Sequence, residues 1–346
     1  MSKKIKAMAH IVRKKRRRHK IVGLTYDLRD EYIFKKGDPE DANAEFDHRD
    51  TVEIIKEAIE SGGHKVVMIG NVNNLLHRLK NLDVDIVFNI SEGLFGRNRE
   101  SQVPIILEMM DVPFVGADGL TLGLTLDKVM AKKVLISEGI PTPQFFEVSK
   151  LKSINGVGIG FPLIVKPRYE GSSKGISDDS VVNDHRRLRR RVELIINTYK
   201  QPALVEKFIT GSEFTVPIIG NEKPWVLPVV QIRIDGKLYL GDLCYTFSRI
   251  RSDTLDYVCP EGLSKSLERK IKEVALKAYQ AVECRDFGRV DIRVDKKQNP
   301  YVLEINPLPS LSTEDVFMTV AKKVGITYNE MVNRILDYAL ERYGMN

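Results

Sequence analysis

The chain has 346 residues, of which 42% are hydrophobic and 29% are charged. It is therefore long enough for two or three domains with buried cores, and its composition excludes a disordered or fibrous chain. The three cysteines show no C-x-x-C pairing, which excludes a disulfide framework or zinc ribbon and favours a reducing, cytoplasmic location. No apolar run approaches the ~20 residues of a bilayer span, so we expect no membrane contact.

The basic charge is concentrated at the start of the chain. The net charge is +7, and residues 1–20 contain ten Lys and Arg but no acid. Subtracting +10 from +7 leaves −3 on the other 326 residues. We assign residues 1–19 to a disordered basic tail. A polyanion contact through residues 1–20 is one interpretation, and a solvated, frayed terminus is the simpler one.

The next hundred residues alternate short apolar strands with amphipathic helices, which is the pattern of a parallel sheet with crossover helices. Strands are predicted at Ile21–Tyr26, 65–69, 86–89 and Phe114–Val115. Apolar residues at helical spacing predict helices over 52–59, 75–79 and 103–110. Residues 20–122 are thus expected to form an N-terminal α/β domain.

A second change of pattern follows a proline-rich stretch at 139–143, which ends a helix that begins near Thr125. The following elements are predicted strands at 163–165, Ala203–Lys207 and 214–219, a helix over 184–198, a flexible segment over 241–262, a helix over 267–282, strands over 289–294 and 301–305, and two closing helices. We divide this α+β region into a central domain (123–212) and a C-terminal domain (213–346). Five arginines between 186 and 191 suggest a polyanion site, but a solvated helix face is the better interpretation.

The nucleotide motifs of other families are missing or misplaced. No G-x-x-x-x-G-K-[ST] sequence occurs, which excludes the P-loop NTPases. The glycines at 156, 158 and 160 imitate a dinucleotide fingerprint, but a strand rather than a helix follows them, so they are interpreted as a loop. Lys166 ends an apolar strand and precedes a loop of small residues, which suits a phosphate site. A hairpin with a surface lysine is the alternative.

Four polar groups converge from two neighbouring strands near the C-terminus. Residues two apart face the same side of a strand, so Arg289 projects with Asp291, and Glu304 with Asn306. Two carboxylates and an amide oxygen suit Mg²⁺ that carries nucleotide phosphates, and Arg289 suits the charge that develops there. A structural salt bridge is the alternative. Further polar groups that could bracket an adenosine flank a predicted turn: Glu206, Lys207 and Glu213. Ordinary surface charges are the alternative.

The order of these motifs resembles the ATP-grasp superfamily and, within it, the D-alanine:D-alanine ligase family. The matching stretches are 126–128, 164–167, 170–173, 206–214, 287–291 and 303–306. The resemblance implies a three-domain ATP-grasp architecture and a Mg·ATP-dependent carboxylate:amine ligase that forms an acyl phosphate, which an amine then attacks. The rival hypothesis is a non-catalytic ATP-binding regulatory or scaffold protein that docks through its basic tail.

The resemblance also implies a role for each matching residue. Lys128 and Lys166 would contact phosphate, and Arg289 would stabilise the oxyanion. The remaining assignments are Glu206, Lys207 and Phe208 around adenine, Glu213 at the ribose, Ser172 and Ser173 in the loop over the phosphates, Tyr245 in the mobile segment at the reaction centre, and Asp291, Glu304 and Asn306 on two magnesium ions, which Mn²⁺ could replace. We expect amino acids or short peptides as substrates, and a homodimer.

Four departures from the family pattern fall on the substrate side. Residues 24–30 replace a glycine-rich stretch, Glu92-Gly93 replaces a His-Gly pair, and Cys244-Tyr245 replaces Lys-Tyr. Asp315 falls where the family has a serine that holds the second substrate's carboxylate. We therefore expect an intact ATP site with altered substrate sites, and an acceptor that offers a cationic or neutral group to Asp315.

Overall fold

The computed structural model describes residues 19–154 and 158–346, so the predicted tail up to residue 18 and part of the glycine loop at 156–160 lie outside the described residues. Four parallel strands form the first sheet, in the order β2-β1-β3-β4. They are β1 (Ile21–Tyr26), β2 (Lys65–Gly70), β3 (Ile86–Ile90) and β4 (Phe114–Val115). The predicted parallel-sheet domain is confirmed.

Three helices accompany this sheet: α1 (Arg49–Ser61), α2 (Val72–Arg78) and α3 (Gln102–Met109). Helix α1 buries Val52, Ile55 and Ile59 on one face, as its apolar spacing predicts, and Gly62 is its C-cap. Helix α2 ends one residue before the predicted 75–79 stretch does, because Leu79 belongs to a 3-10 turn that follows the helix.

The central region contains α4 (Gly119–Leu126), α5 (Lys128–Ser137), β5 (Phe145–Val148), β6 (Leu163–Pro167), β7 (Val181–Val182), α6 (His185–Tyr199) and β8 (Ala203–Lys207). Its antiparallel sheet has the order β5-β8-β6-β7. The single helix predicted from Thr125 is wrong, because Asp127 leaves helical geometry and caps α5 through the Met130 amide. Arg191 of α6 is buried and donates to the Gly175 carbonyl, whereas the other four arginines are exposed.

The last region contains β9 (Gly211–Ile219), β10 (Trp225–Val226), β11 (Val230–Ile234), α7 (Phe247–Ile250), β12 (Leu255–Val258), α8 (Lys265–Ala281), β13 (Phe287–Asp295), β14 (Pro300–Asn306), α9 (Val316–Val324) and α10 (Tyr328–Arg342). Its antiparallel sheet has the order β12-β11-β9-β13-β14, and β10 pairs with β9. The segment 241–262, which is predicted to be flexible, has regular structure in part. It contains α7 and β12, which extends the sheet by pairing with β11.

One apolar core joins the first and last regions, whereas the central region has a core of its own. Residues of the first sheet and α1, such as Ile55 and Phe88, share one core with Val316 and Leu336 of the last two helices. The central sheet and α6 instead have a core of their own, formed by residues 148–205. No helix in the described part of the chain is long and apolar enough to cross a bilayer.

Candidate active site

A cleft of about 930 Å³ lies between the three sheets. Its wall contains every residue to which the sequence assigned a role: Lys128, Lys166, Ser172, Ser173, Glu206, Lys207, Phe208, Glu213, Tyr245, Arg289, Asp291, Glu304 and Asn306. These side chains come from distant parts of the chain, and the fold brings them together in one site.

Two lysines hold one buried acid in this cleft. Glu206, on β8, forms ion pairs of 2.6 Å with Lys132 and 2.7 Å with Lys166, and the three side chains are at most 6% exposed. Burial lowers the pKa of Lys132 to about 8. Burial acts in the same direction on Lys166, but Glu206 outweighs it and raises that lysine's pKa. Two cations against one anion leave a positive charge, which suits a phosphate oxygen.

Strands β13 and β14 place Asp291 opposite Glu304, and Arg289 opposite Asn306. The Asp291 carboxylate accepts hydrogen bonds from Thr215 Oγ1 at 2.6 Å and from Asn306 Nδ2 at 2.8 Å. It also forms an ion pair of 3.1 Å with Arg289 Nε. The salt bridge that the sequence left open as an alternative therefore exists, but Glu304 forms no ion pair with Arg289 among the described residues.

Glu304 is paired with Lys128 instead. The Lys128 Nζ atom lies 3.2 Å from Glu304 Oε2 and donates to the Glu170 carbonyl oxygen at 2.5 Å. Although burial opposes ionisation, Lys128 and Lys166 lower the pKa of Glu304 to about 2. Lys128 thus connects the acids of the C-terminal sheet with the loop that follows β6.

Asp291, Glu304 and Asn306 fit a hard divalent cation by their chemistry. Carboxylate and amide oxygens are the ligands that Mg²⁺ prefers. Burial and the neighbouring Glu304 raise the pKa of Asp291, and a cation between the two acids would relieve their repulsion. Within residues 19–154 and 158–346, no three His, Cys, Asp or Glu side chains are grouped to hold a metal ion. Further ligands would come from phosphate or water.

The end of the cleft next to β8 and β9 is built around Arg293. Its guanidinium lies 4.4 Å from the centroid of the Phe208 ring and 3.3 Å from a carboxylate oxygen of Glu213. Lys207 turns towards the backbone before β6, where its ammonium donates to two carbonyl oxygens at 2.7 and 2.9 Å. Phe208 and Glu213 therefore have fixed positions on this part of the wall.

The loop after β6 covers part of the cleft. Ser172 and Ser173 both have left-handed backbone conformations, with φ of 45° and 55°, which cost a non-glycine residue roughly 1–2 kcal/mol. Ser173 Oγ donates to the Tyr245 carbonyl oxygen at 3.4 Å, and the Tyr245 and Tyr257 hydroxyls share a hydrogen bond. The loop is thus tied to the segment that carries Tyr245.

Two of the residues that depart from the family pattern, Asp315 and Cys244, have contacts within the protein. Asp315 caps α9 by accepting from the Val316 amide at 2.6 Å, and it lies 3.6 Å from Arg289. Cys244 is 4% exposed and contacts the Ser177 carbonyl. Because Asp315 already has a cationic partner, its preference for a cationic or neutral acceptor stays a prediction.

A second group of buried charges lies beside the cleft on the side of the first sheet, and its member Glu45 lines the cleft. Glu45 pairs with Arg99 at 2.7 Å and with Lys174 at 3.2 Å, and both cations also contact Glu170. Although burial opposes its ionisation, the two cations lower the pKa of Glu45 to about 2. These four residues join the long β1–α1 connection to the loop after β6.

The sequence did not predict a role for Lys132, Arg293 or this group of four charges. Two of these residues carry a local signal. Lys132 lies four residues after Lys128 and therefore on the same helix face, and Arg293 continues the alternation of Arg289 and Asp291 along β13. The members of the four-charge group lie on separate segments, and no spacing in the sequence connects all of them.

Known proteins resemble this chain over most of its length. Residues 134–337 match the family model described as "D-ala D-ala ligase C-terminus". The D-alanine–D-alanine ligase of Carboxydothermus hydrogenoformans is 33% identical over 300 residues, which are 84% of this chain and 93% of that protein. An uncharacterised protein of Sinorhizobium fredii is 33% identical over 83% of this chain and 86% of its own length.

Solved structures share the fold. The Bacillus anthracis D-alanine–D-alanine ligase complexed with ATP has a TM-score of 0.73 at 24% identity, and covers 93% of this chain and 98% of its own. The VanG D-Ala:D-Ser ligase of Enterococcus faecalis has a TM-score of 0.71 at 20% identity, with coverage of 93% and 99%. The fold and the cleft define an ATP-grasp enzyme. The chain belongs to the D-alanine:D-alanine ligase family, and is an ATP-dependent ligase that forms an amide-type bond.

Replacing Lys166 by alanine should weaken ATP binding, because a buried point charge at the end of β6 is lost. We expect KM for ATP to rise about tenfold or more, as is usual for one charge-assisted contact. Titration of ATP at fixed co-substrate concentration measures this change, and the exposed Lys150→Ala serves as the matched control. An unchanged KM for ATP would show that Lys166 does not contact the nucleotide.

Proposed function

We propose that this ligase joins the carboxylate of an amino acid or short peptide to an amine, in a substrate site different from that of the D-alanine-specific relatives. One observation carries the proposal: the cationic, acidic and amide groups expected for Mg·ATP line one cleft, whereas the positions expected to hold D-alanine carry other residues. The second half of that contrast rests on Glu92, Cys244 and Asp315.

The chain's own residues account for binding and charge stabilisation. Lys128 and Lys166 would hold the nucleotide phosphates, and the loop with Ser172 and Ser173 would exclude water from them. Arg289 would stabilise the oxyanion that forms when the amine attacks, because that charge develops mainly near the transition state. Adenine and ribose contacts are assigned to Glu206, Lys207, Phe208 and Glu213.

Magnesium ions held by Asp291, Glu304 and Asn306 would neutralise charge on the phosphates. We propose two ions, with Mn²⁺ as a substitute, because the three side chains leave most of an octahedral shell to phosphate oxygens and water. Equilibrium dialysis of the protein with ATP analogue and Mn²⁺ would count the ions.

The experiment is a trap for the activated carboxylate. With ATP, Mg²⁺ and hydroxylamine, the correct amino acid should give a hydroxamate together with ADP, because hydroxylamine is a small nucleophile that needs no acceptor pocket. A panel of D- and L-amino acids and dipeptides identifies the donor. The proposal is refuted if the protein releases no ADP with any donor, or if it makes only the D-alanine dimer and rejects other acceptors.

No described feature favours the regulatory hypothesis, since the described residues retain the complete set Arg289, Asp291, Glu304 and Asn306. We propose a cytoplasmic enzyme, in keeping with three cysteines that form no disulfide among the described residues. We also propose that the enzyme is a homodimer, and light scattering of the purified chain measures its oligomeric state.

Removing residues 2–19 should leave ligase activity nearly unchanged, because the described residues that line the cleft begin at Arg29. Any binding of nucleic acid should be lost with the tail and should already weaken with salt in the intact protein. Filter binding with and without the tail, alongside steady-state ADP release, measures both effects. Equal nucleic-acid affinity in the two proteins would place the contact elsewhere.

A further inference from the structure

Two carboxylates in the cleft wall have no cation to balance them. Glu92 follows β3, Glu100 lies in the 3-10 turn before α3, and both line the cleft. The Glu100 residue is 8% exposed. Among residues 19–154 and 158–346, neither side chain accepts a hydrogen bond or forms an ion pair. Buried acids are usually paired. Glu100 is buried and Glu92 is half-buried, so both carboxylates are available to a ligand.

The nearby cations are already engaged. Arg99, the residue before Glu100, pairs with Glu45 and Glu170, and Lys174 pairs with the same two acids. Two cations are thus matched by two anions. Lys128, the next cation that influences Glu100, is paired with Glu304.

The surroundings of these two acids therefore favour protonated carboxyls. Burial and the nearby Glu100 raise the pKa of Glu92 well above its usual range, and burial raises the pKa of Glu100 to about 7 against the influence of Arg99. Burial likewise raises to about 7 the pKa of Asp47, a third acid of the same cleft, although Arg29 opposes it. A cationic ligand would replace protons on this wall.

Two kinds of cation could balance these acids. A metal ion would need ligands beyond them, because no three acidic, histidine or cysteine side chains of the described chain are grouped to hold one, whereas an organic cation needs no such group. One ammonium, such as the α-ammonium of a simple amino acid, would also leave acids unmatched. The unbalanced charge matches a substrate with an additional cation.

We propose that Glu92 and Glu100, with Asp47 nearby, bind the side-chain cation of a dibasic amino acid that is one of the ligase's substrates. The proposal rests on the ligase function proposed above and specifies its substrate class. Lysine and ornithine represent this class, and norleucine is an uncharged analogue of lysine with nearly the same shape.

The test compares these amino acids as D and L isomers in the ADP-release assay, as donors with hydroxylamine and as acceptors with alanine. We expect kcat/KM for lysine or ornithine to exceed that for norleucine by at least about tenfold, which is the effect of one good charge pair. Glu92→Gln and Glu100→Gln should each lower this ratio about tenfold. The exposed Glu108→Gln on α3 should leave it unchanged.

Binding without turnover separates the two proposals. Calorimetry with lysine alone, in buffers of different ionisation enthalpy at pH 7, should show proton release that is smaller in the Glu100→Gln protein. If no amino acid supports ADP release but lysine binds in this way, the ligase proposal fails and the cation subsite stands. If norleucine is used as well as lysine, the subsite is wrong while the ligase proposal stands. If Mg²⁺ alone raised the Tm and this effect required Glu100, the proposed subsite for an organic cation would also be wrong.

If Glu100 served only to stabilise the fold, its replacement by glutamine would lower the Tm, whereas a ligand-binding role predicts no such loss. Since the pKa of Glu100 is raised by folding, its cost to stability is absent at low pH and grows as pH rises from about 4.5 to about 7. The ligand-free Glu100→Gln protein should therefore have an equal Tm at pH 4.5 and a higher Tm at pH 8. A lower Tm at both pH values would show that Glu100 holds the fold and would overturn the proposal.

Discussion

Glu304→Gln should lower kcat by at least about a hundredfold while ATP still binds, because the variant keeps the shape of the side chain and loses the charge that positions metal-bound phosphate. The change also releases Lys128 from its 3.2 Å pair, and the freed cation can still attract phosphate. Steady-state ADP release gives kcat, and fluorescence quenching or calorimetry with an ATP analogue gives the affinity of the variant for that analogue.

Glu341→Gln is the matched control for this measurement, since Glu341 is an exposed glutamate on α10. Asp291→Asn should behave like Glu304→Gln, because the two acids face each other across β13 and β14. Wild-type turnover in either variant would contradict the assignment of the metal site.

Glu206→Gln should destabilise the fold by about 3 kcal/mol or more, since breaking a buried ion pair leaves uncompensated charge. The variant would leave Lys132 and Lys166 as neighbouring buried cations without their shared acid. We expect a lower Tm and a partial recovery when ATP is added, because phosphate can replace the lost anion. Thermal unfolding with and without ATP measures both effects.

A second substitution tests the cause of this loss. Lys132→Met in the Glu206→Gln background removes one of the two surplus cations, so the double variant should be more stable than Glu206→Gln alone. The exposed Glu193→Gln on α6 should change Tm by little. If the double variant is no more stable, repulsion between the lysines is not the source of the defect.

Much of the fold could be predicted because its main elements carry strong local patterns. The parallel strands are short apolar runs, and the helix that ends at Gly62 has an apolar stripe and a glycine stop. The elements that were missed are those whose stability comes from pairing. Strand β12 has a mixed pattern over Leu255–Val258, and β11 supplies its hydrogen bonds. Asp127 breaks a helix that the apolar pattern would allow to continue.

The site was predictable where one strand carries several functional groups. Arg289 and Asp291 are two residues apart, and so are Glu304 and Asn306, so alternation alone brings each pair to one face. The balance of charges was not predictable in the same way. Glu100 lacks a partner, whereas Arg99 beside it has two. Those two partners, Glu45 and Glu170, lie 55 residues before Glu100 and 70 residues after it in the sequence.

The shared core of the first sheet and the last two helices restricts how nucleotide can reach the cleft. Separating these regions would expose one continuous apolar core, whereas the central sheet keeps its own core over 148–205. We therefore expect the central sheet to swing as a rigid unit about the two connections that join it to the rest, near 138–144 and 208–210. Pro141 and Thr142 are hydrogen-bonded to Val302 of β14, which places the first hinge just after Thr142.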